Sequence, residues 1–506
     1  MSATTSSPKP RVSERIDGRH VHRALELRAD VVIIGSGPAG SARRTRVARA
    51  GASVIVIEAG RWFAPREFQL SAFHSMADTY RDMGASVVLG SAPTPFVQGK
   101  LVGGSSPING AICWRMPRDV YDEWLTKDRA LADALPWDVL EATTDMLEAR
   151  LNVRPTDPAI AGAKNQLLAR GAEALGLAHR PIRRNVQGCE GLGRCMQGCP
   201  NARKLSVDAT LLADAEQAGA VVLSCTEVTG IDVRAGRATG VHGVTDGGAE
   251  VRVHAARAVI VAASAVQSPA LLMRSGLRQG PVGRHFQCHP GVSMAGRFPE
   301  PVRMWEGATQ GHEVTGLRHE GLKFEALGFD LGVMAGRLRG RGPRAGARST
   351  TWRTCSTGAP RCAEAEGVVR VVRGKPHVFF SPSDHDVRRY RRGLRVMGEM
   401  MLAAGADHVS PGVRGFLRRT SRVADLIELE QHGPKRASAY TSAITHMFGT
   451  CRMGSDPQRG GAPGLPPPRH PRGLYVADSS VFPSSLGGET RRSPSRPWPP
   501  RPRGPC

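Results

Sequence analysis

The stretch from Ala29 to Gly60, ADVVIIGSGPAGSARRTRVARAGASVIVIEAG, constrains the fold of this chain more than any other. Ala29–Ile34 is a short apolar run rich in β-branched residues, the composition of a strand buried on both faces of a parallel sheet. Gly35-Ser36-Gly37-Pro38-Ala39-Gly40 follows as G-x-G-x-x-G. In that pattern Gly35 makes the tight turn, Gly37 lets the backbone approach a pyrophosphate, and Gly40 packs the next helix against the strand. The helix N-terminus then faces the phosphates. A second strand, Ser53–Ile57, ends in Glu58, about 20 residues past the glycines, where a carboxylate accepts from a ribose hydroxyl. The expected ligand is a dinucleotide, and the charge of Glu58 argues against the 2′-phosphate of NADP. A glycine turn alone is weak; strand, turn, helix, second strand and acid in register make it specific. Arg43, Arg44 and Arg46 stand in the first turns of that helix, where positive charge opposes the macrodipole. They are read as solvated or as reaching a phosphate.

A chain of 506 residues has room for two or three domains and ample core. No apolar run approaches the roughly 18 residues of a membrane-crossing helix. The first 28 residues lack an apolar leader segment, so they read as a polar, poorly ordered lead-in and the expected compartment is cytoplasmic. A net charge of +24 would ordinarily suggest nucleic acid or an anionic surface. Half of it, however, lies in Arg337–Arg361 and Arg491–Arg503, which hold seven and five arginines and no acid. Both segments are rich in Gly, Pro and Ser without helical or strand periodicity. They read as disordered or as out-of-frame translation of GC-rich DNA, the second being preferred because ordinary patterning resumes beyond the first segment. Neither has the interleaved aromatic platforms of a nucleic-acid site, so no nucleic-acid partner is expected.

Two further segments carry chemistry. Gly99–Gly110 (GKLVGGSSPING) is a glycine and serine loop with Asn109 near its end, whose backbone amides could hold an extended ligand. Near the C-terminus, His446–Gly454 precedes Gly473–Pro483, which reads as strand, acid and loop and so places Asp478 at the carboxyl end of a sheet strand.

In this order the pieces resemble the glucose-methanol-choline family of FAD-dependent oxidoreductases. The match runs from Ala29 to about Val333 and from about Val368 to Gly487, including RAVIVAASAVQSPALLMRSGL and GPVGRHFQCHP. The resemblance implies an α/β fold, with a Rossmann-like FAD-binding domain and a second, α+β substrate-binding domain. It implies FAD, with Gly35, Gly37, Gly40 and Glu58 on the ADP half and Gly104, Ser105 and Asn109 along the pyrophosphate and flavin. Val228 would touch the adenine, Asp478 would lie by the ribityl and pyrophosphate region, and His446 would be the active-site histidine. The implied FAD domain is discontinuous (29–118, 200–295 and 440–488). The substrate domain would take 119–199 and 296–439, with an irregular basic segment at 337–362 and an aberrant tail at 489–506. Lys375–Ser381 reads as a strand, and Asp384–Ala406 as a helix ending near Gly405.

Oxidising an alcohol requires a base within hydrogen-bond reach of its hydroxyl, and His446 is the candidate. Histidine, with an ordinary pKa of about 6.5, exchanges protons near neutrality, and as imidazolium it stabilises a developing alkoxide. The family pattern breaks at Gly488-Glu489-Thr490. There Glu489 takes the place of the second catalytic residue, usually Asn or His, and the arginine-proline tail replaces the helix that closes over the flavin. A carboxylate opposes an alkoxide, so impaired chemistry is the alternative to an active alcohol dehydrogenase or oxidase. The chain has ten cysteines, of which only Cys189, Cys195 and Cys199 are grouped. Some relatives with similar runs carry an iron-sulfur cluster. Here Gly188 stands where an adjacent fourth cysteine would help, so reduced structural thiols are preferred over a cluster, and a cluster over zinc. An NAD-dependent dehydrogenase would fit the first motif but not the Gly103–Gly110 loop or the His446 segment. The alcohol and the electron acceptor are not specified by the sequence.

Overall fold

The computed structural model describes residues 15–40, 50–68, 71–328, 356–360, 365–456 and 471–486. Val31–Ile34 and Val54–Ile57 are buried on both faces, as strands covered from both sides must be. They form the centre of an eight-stranded sheet. Its parallel part runs Arg15–Asp17, Val221–Ser224, Val54–Ile57, Leu25–Ile34, Glu250–Val261 and Leu474–Val476. Thr226–Arg234 and Arg237–Thr245 extend it antiparallel from the first half of Glu250–Val261. Because the parallel strands point one way, Gly35, Glu58, Ala262 and Asp478 all fall at one edge of the sheet, the edge where open α/β sheets bind ligands.

From Arg15 onward the N-terminal lead-in is more ordered than its composition implies. Arg15–Asp17 pairs with Val222–Ser224, and Leu25–Arg28 pairs with Val251–His254. Arg15 also bonds Glu216 at 2.7 Å and lies 3.6 Å over the Trp62 ring. An open parallel edge with unpaired backbone groups explains the first strand. The alternation Leu25-Glu26-Leu27-Arg28, half-buried against exposed, was the available signal for the second.

A second, seven-stranded sheet is antiparallel and centres on Gln287–Arg297. That strand pairs with Ser442–Phe448 on one stretch and with His408–Ser410 and Ser356–Pro360 on others. Gln287–Arg297 and Ser442–Phe448 lie in the second sheet, while Cys288 and Ile444 pack into the same buried cluster as Val32, Ile34 and Val259 of the first. Ser356–Pro360 also differs from expectation: inside a segment read as irregular, its backbone pairs with both Met294–Val292 and Leu322–Glu325. Strand character there comes from two flanking strands with free backbone groups, which leaves no periodicity to read. The remainder of the basic segment, Arg43, Arg44 and Arg46, and the tail from 487, including Glu489, lie outside the described residues.

Helix Asp384–Ala403 packs Val387, Tyr390, Leu394, Met397 and Met401 into the core of this sheet against Met294, Phe298 and Phe324. Ser383 and Asp386 close its start as a capping box. It ends three residues short of expectation, before Gly405 at φ 92. Lys375–Phe379, the shortened form of the expected strand, belongs to a four-stranded sheet with Val368–Val372, Val87–Leu89 and Thr94–Pro95. Among the described residues, no helix is long and apolar enough to cross a membrane.

Candidate active site

The two glycine loops touch. A Cβ on Gly104 would come within 2.9 Å of the Gly37 Cα, and Gly103 and Gly104 take φ of +95 and +58, so this second loop is held in left-handed conformations that glycine alone adopts freely. Gly35 sits at φ +97 with the Ala262 carbonyl 2.4 Å from where a Cβ would stand. Gly37 differs from both. Its φ is ordinary and, among the described residues, the nearest atom to its Cβ position is 4.0 Å away. Among the described residues, therefore, no close contact requires glycine at 37. Gly40 lies in the first helical turn after the loop.

Glu58 is buried, 7% exposed. One carboxylate oxygen accepts from the Ser36 amide at 2.9 Å and hydroxyl at 2.6 Å, and the other accepts from the Gly60 amide at 2.9 Å. The Ser36 hydroxyl in turn accepts from the Gly103 amide at 2.8 Å. Ser36, an unspecified position in the motif, thus links the acid to the second loop, a role that the sequence did not signal. Ser105 accepts from the Gly99 amide at 2.9 Å. Asn109 accepts from the Ala111 amide at 2.9 Å through its side chain, and its carbonyl takes Lys204 Nζ at 2.9 Å. Val228 is buried in the strand Thr226–Arg234.

Asp478 follows the strand Leu474–Val476. Its carboxylate accepts from the Ser264 amide at 3.0 Å, the Ser268 hydroxyl at 2.5 Å and the Ser480 amide at 2.8 Å. It thereby holds the start of helix Ser264–Arg274, where Ser264 is at φ 97. Replacing Asp478 with Ala leaves buried donors unpaired, and we expect a loss of about 2–3 kcal/mol in urea unfolding. An unchanged midpoint would contradict this bracing role.

His446 lies in a β-bulge. Cys288 opposes Met447 and His289 opposes Thr445, so residue 446 is the extra one on its strand. It has φ 48 and is exposed, while its ring stands 5.2 Å from the His289 ring at 46°. Bulges re-aim single side chains, and a non-glycine residue held at positive φ costs on the order of 1–3 kcal/mol, which clusters at functional positions. Beyond the strand, the Gly449, Cys451 and Met453 amides bond the carbonyls of Ser479, Ser480 and Val481, which ties the histidine segment to the Asp478 segment. Ser484 and Ser485 are held by Trp124 Nε1 and by the Gln287 side chain, both at 2.8 Å. His289 was not singled out from the sequence, because its relevance depends on pairing across the sheet.

Of the grouped cysteines, Cys195 receives Arg184 Nη2 at 3.1 Å, Cys189 receives Arg184 Nη1 at 3.8 Å, and Cys199 accepts from the Arg203 amide at 3.2 Å. Among the described residues, no three His, Cys, Asp or Glu side chains converge as metal ligands. All seven described cysteines are free thiols.

A parallel sheet with facing glycine loops and a buried acid at its carboxyl edge defines a dinucleotide-binding protein, and the comparisons with known proteins narrow the class. Family models described as GMC oxidoreductase match residues 29–291 and 364–492. An uncharacterized GMC-type oxidoreductase of Mycobacterium tuberculosis is 33% identical over 468 residues, 90% of this chain and 72% of that protein. A long-chain-alcohol oxidase of Arabidopsis thaliana is 27% identical over 92% of this chain and 66% of its own. The crystal structure of pyridoxine 4-oxidase from Mesorbium loti superposes with a TM-score of 0.65 at 18% identity, covering 91% of this chain and 96% of that one. The chain belongs to the GMC oxidoreductase family, whose general chemistry is FAD-dependent oxidation of alcohols.

Proposed function

We propose that the protein oxidises the CH–OH group of an alcohol, with FAD held at the carboxyl edge of the parallel sheet and His446 as acid and base. The open Cβ position at Gly37 beside the crowded one at Gly104 is the observation that fits FAD to these residues. Gly35, Gly37 and Gly40 would take the pyrophosphate, and Glu58 the ribose. Gly104, Ser105 and Asn109 would lie along the pyrophosphate and flavin, with Val228 at the adenine and Asp478 bracing the helix start beside them. Bound FAD supplies the hydride acceptor.

What carries the catalytic reading is the bulged, left-handed, exposed His446. A ring nitrogen of His446 takes the substrate hydroxyl proton, and the resulting imidazolium faces the developing negative charge on oxygen. The His289 ring at 5.2 Å limits the orientations of the His446 imidazole. An alcohol substrate is supported by relatives named as long-chain-alcohol oxidases and as an oxygen-dependent choline dehydrogenase. The reading is tested by flavin absorbance of the purified protein and its bleaching by primary alcohols under anaerobic conditions. Bound flavin that no alcohol bleaches would contradict it.

Impairment is the second reading, and it is supported by Glu489 and the arginine-proline sequence that follows. Replacing Glu489 with Asn is expected to raise the rate of flavin reduction, since a neutral amide donates to an alkoxide that a carboxylate repels. A rate unchanged by that repair would remove Glu489 as the cause.

A further inference from the structure

Beside the proposed flavin loop lies a cluster of buried charge that alcohol oxidation does not use. Lys164, Arg184 and Lys204 are almost fully buried. Lys164 donates to the Glu306 carbonyl at 2.6 Å, and Lys204 to the Asn109 and Cys195 carbonyls, both at 2.9 Å. Arg184 spends its two terminal nitrogens on the sulfurs of Cys195 and Cys189. No carboxylate forms an ion pair with any of the three among the described residues. Asp208, the nearby buried carboxyl, is pushed toward its neutral form by burial. Burial drives Lys204 and Lys164 each down to about 8, opposed in both cases by the charge of Cys195. Burial also pushes the Cys195 thiol up, but Arg184 and Lys204, with hydrogen bonds from Thr309 and Arg184, outweigh it and bring it below the usual range. Buried cations are costly to leave unbalanced, and Arg184 and Lys204 favour the thiolate form of Cys195, while Asp208 acts in the same sense on Lys204 and Glu306 on Lys164.

The two sulfurs also share one guanidinium and one cleft. Cys189, Cys195 and Cys199 line one cleft. Between the first two the chain doubles back through Gly191 and Gly193 at φ +71 and +66, pinned where a Cβ on Gly193 would meet the Trp305 carbonyl at 1.9 Å. The 3-10 turn Cys195–Gln197 is tied to the flavin loop twice. Lys204 bridges the Cys195 and Asn109 carbonyls, and Tyr80 Oη lies 2.5 Å from the Met196 carbonyl and 3.1 Å from that of Ile108.

We propose that Cys195 and Cys189 form a peroxide-sensitive dithiol that couples to the flavin loop, the coupling resting on the FAD reading above. The Cys195 thiolate attacks one oxygen of hydrogen peroxide, the O–O bond breaks, and the departing hydroxide takes a proton to become water. Sulfur is thereby oxidised by two electrons to sulfenic acid. The Cys189 sulfur then attacks the Cys195 sulfur. The S–S bond forms, the S–O bond breaks, and hydroxide leaves with the Cys189 proton as a second water. Arg184 loses its thiolate partner in the disulfide, which frees a buried guanidinium beside Lys204 and shifts the turn that holds Asn109.

Peptide mapping of the full chain tests this. The reduced protein is exposed to stoichiometric hydrogen peroxide, blocked with light iodoacetamide, reduced and relabelled with heavy reagent. A Cys189–Cys195 crosslink should form about tenfold or more faster than Cys113, Cys225 or Cys451 is lost. Cys189→Ser should leave Cys195 as a sulfenic acid captured by dimedone, and Cys199→Ser should leave the crosslink intact. Oxidation should also change the fluorescence of bound FAD, reversibly with dithiothreitol in the wild type and not in Cys189→Ser. Cys195 reacting no faster than Cys225, a crosslink to Cys199 instead, or stoichiometric iron or zinc in the purified protein would overturn the proposal. Protein without FAD would contradict the functional reading and leave the peptide map to decide the thiol site.

Discussion

Gly37→Ala is expected to release FAD while leaving the apo-protein folded. Among the described residues, a Cβ at position 37 meets nothing closer than the Gly104 Cα at 4.0 Å, and the backbone there is not left-handed. The change should alter apo stability by about 1 kcal/mol or less. Its methyl group instead points into the space through which the loop would approach the pyrophosphate. FAD affinity should therefore fall by about 10²-fold or more, equivalent to about 2.7 kcal/mol. Gly35→Ala behaves in the opposite way, because its Cβ would stand 2.4 Å from the Ala262 carbonyl at φ +97. That variant should lose stability before it loses ligand. Titration of the two apo-proteins with FAD, beside urea unfolding of each, separates the roles. Full flavin retention by Gly37→Ala would mean that this loop does not approach the cofactor.

Local features were legible where one segment supplies all the information. Val31–Ile34, the glycine turn and Glu58 follow one another closely, so strand burial and the strand, turn and acid order could be read directly. Asp478 was placed correctly at a strand end, but its bonds to Ser264 and Ser268 depend on a helix more than 200 positions earlier, as their separations of 214 and 210 show. The same holds for His446. Its company could be recognised from the family pattern, whereas the bulge exists only because Gln287–Arg297 pairs with Ser442–Phe448 out of step. Arg184, Lys204 and Cys195 look like an ordinary arginine, lysine and cysteine until the fold buries both cations beside one sulfur. Ser356–Pro360 carries no strand periodicity, since two neighbouring strands impose its conformation.

The largest kinetic effect is expected at His446. Removing a positioned acid/base group typically costs about 10²–10⁴-fold, so His446→Ala should lower alcohol-dependent flavin reduction by about 10² or more. FAD content should be unchanged, because the described contacts of the glycine loops and Glu58 do not involve residue 446. Relief of the left-handed backbone is a competing explanation, and His446→Asn addresses it. Asparagine tolerates the conformation at φ 48 but cannot take a proton, so it should be as slow as the alanine variant.

The most direct test is anaerobic stopped-flow reduction of the FAD-loaded protein by a panel of primary alcohols, with wild type, His446→Ala and His446→Asn compared at equal flavin content. The wild-type flavin should bleach with at least one alcohol, and both variants should bleach about 10² or more times slower. Equal rates in the three proteins would contradict the account, leaving a flavoprotein whose chemistry does not pass through His446.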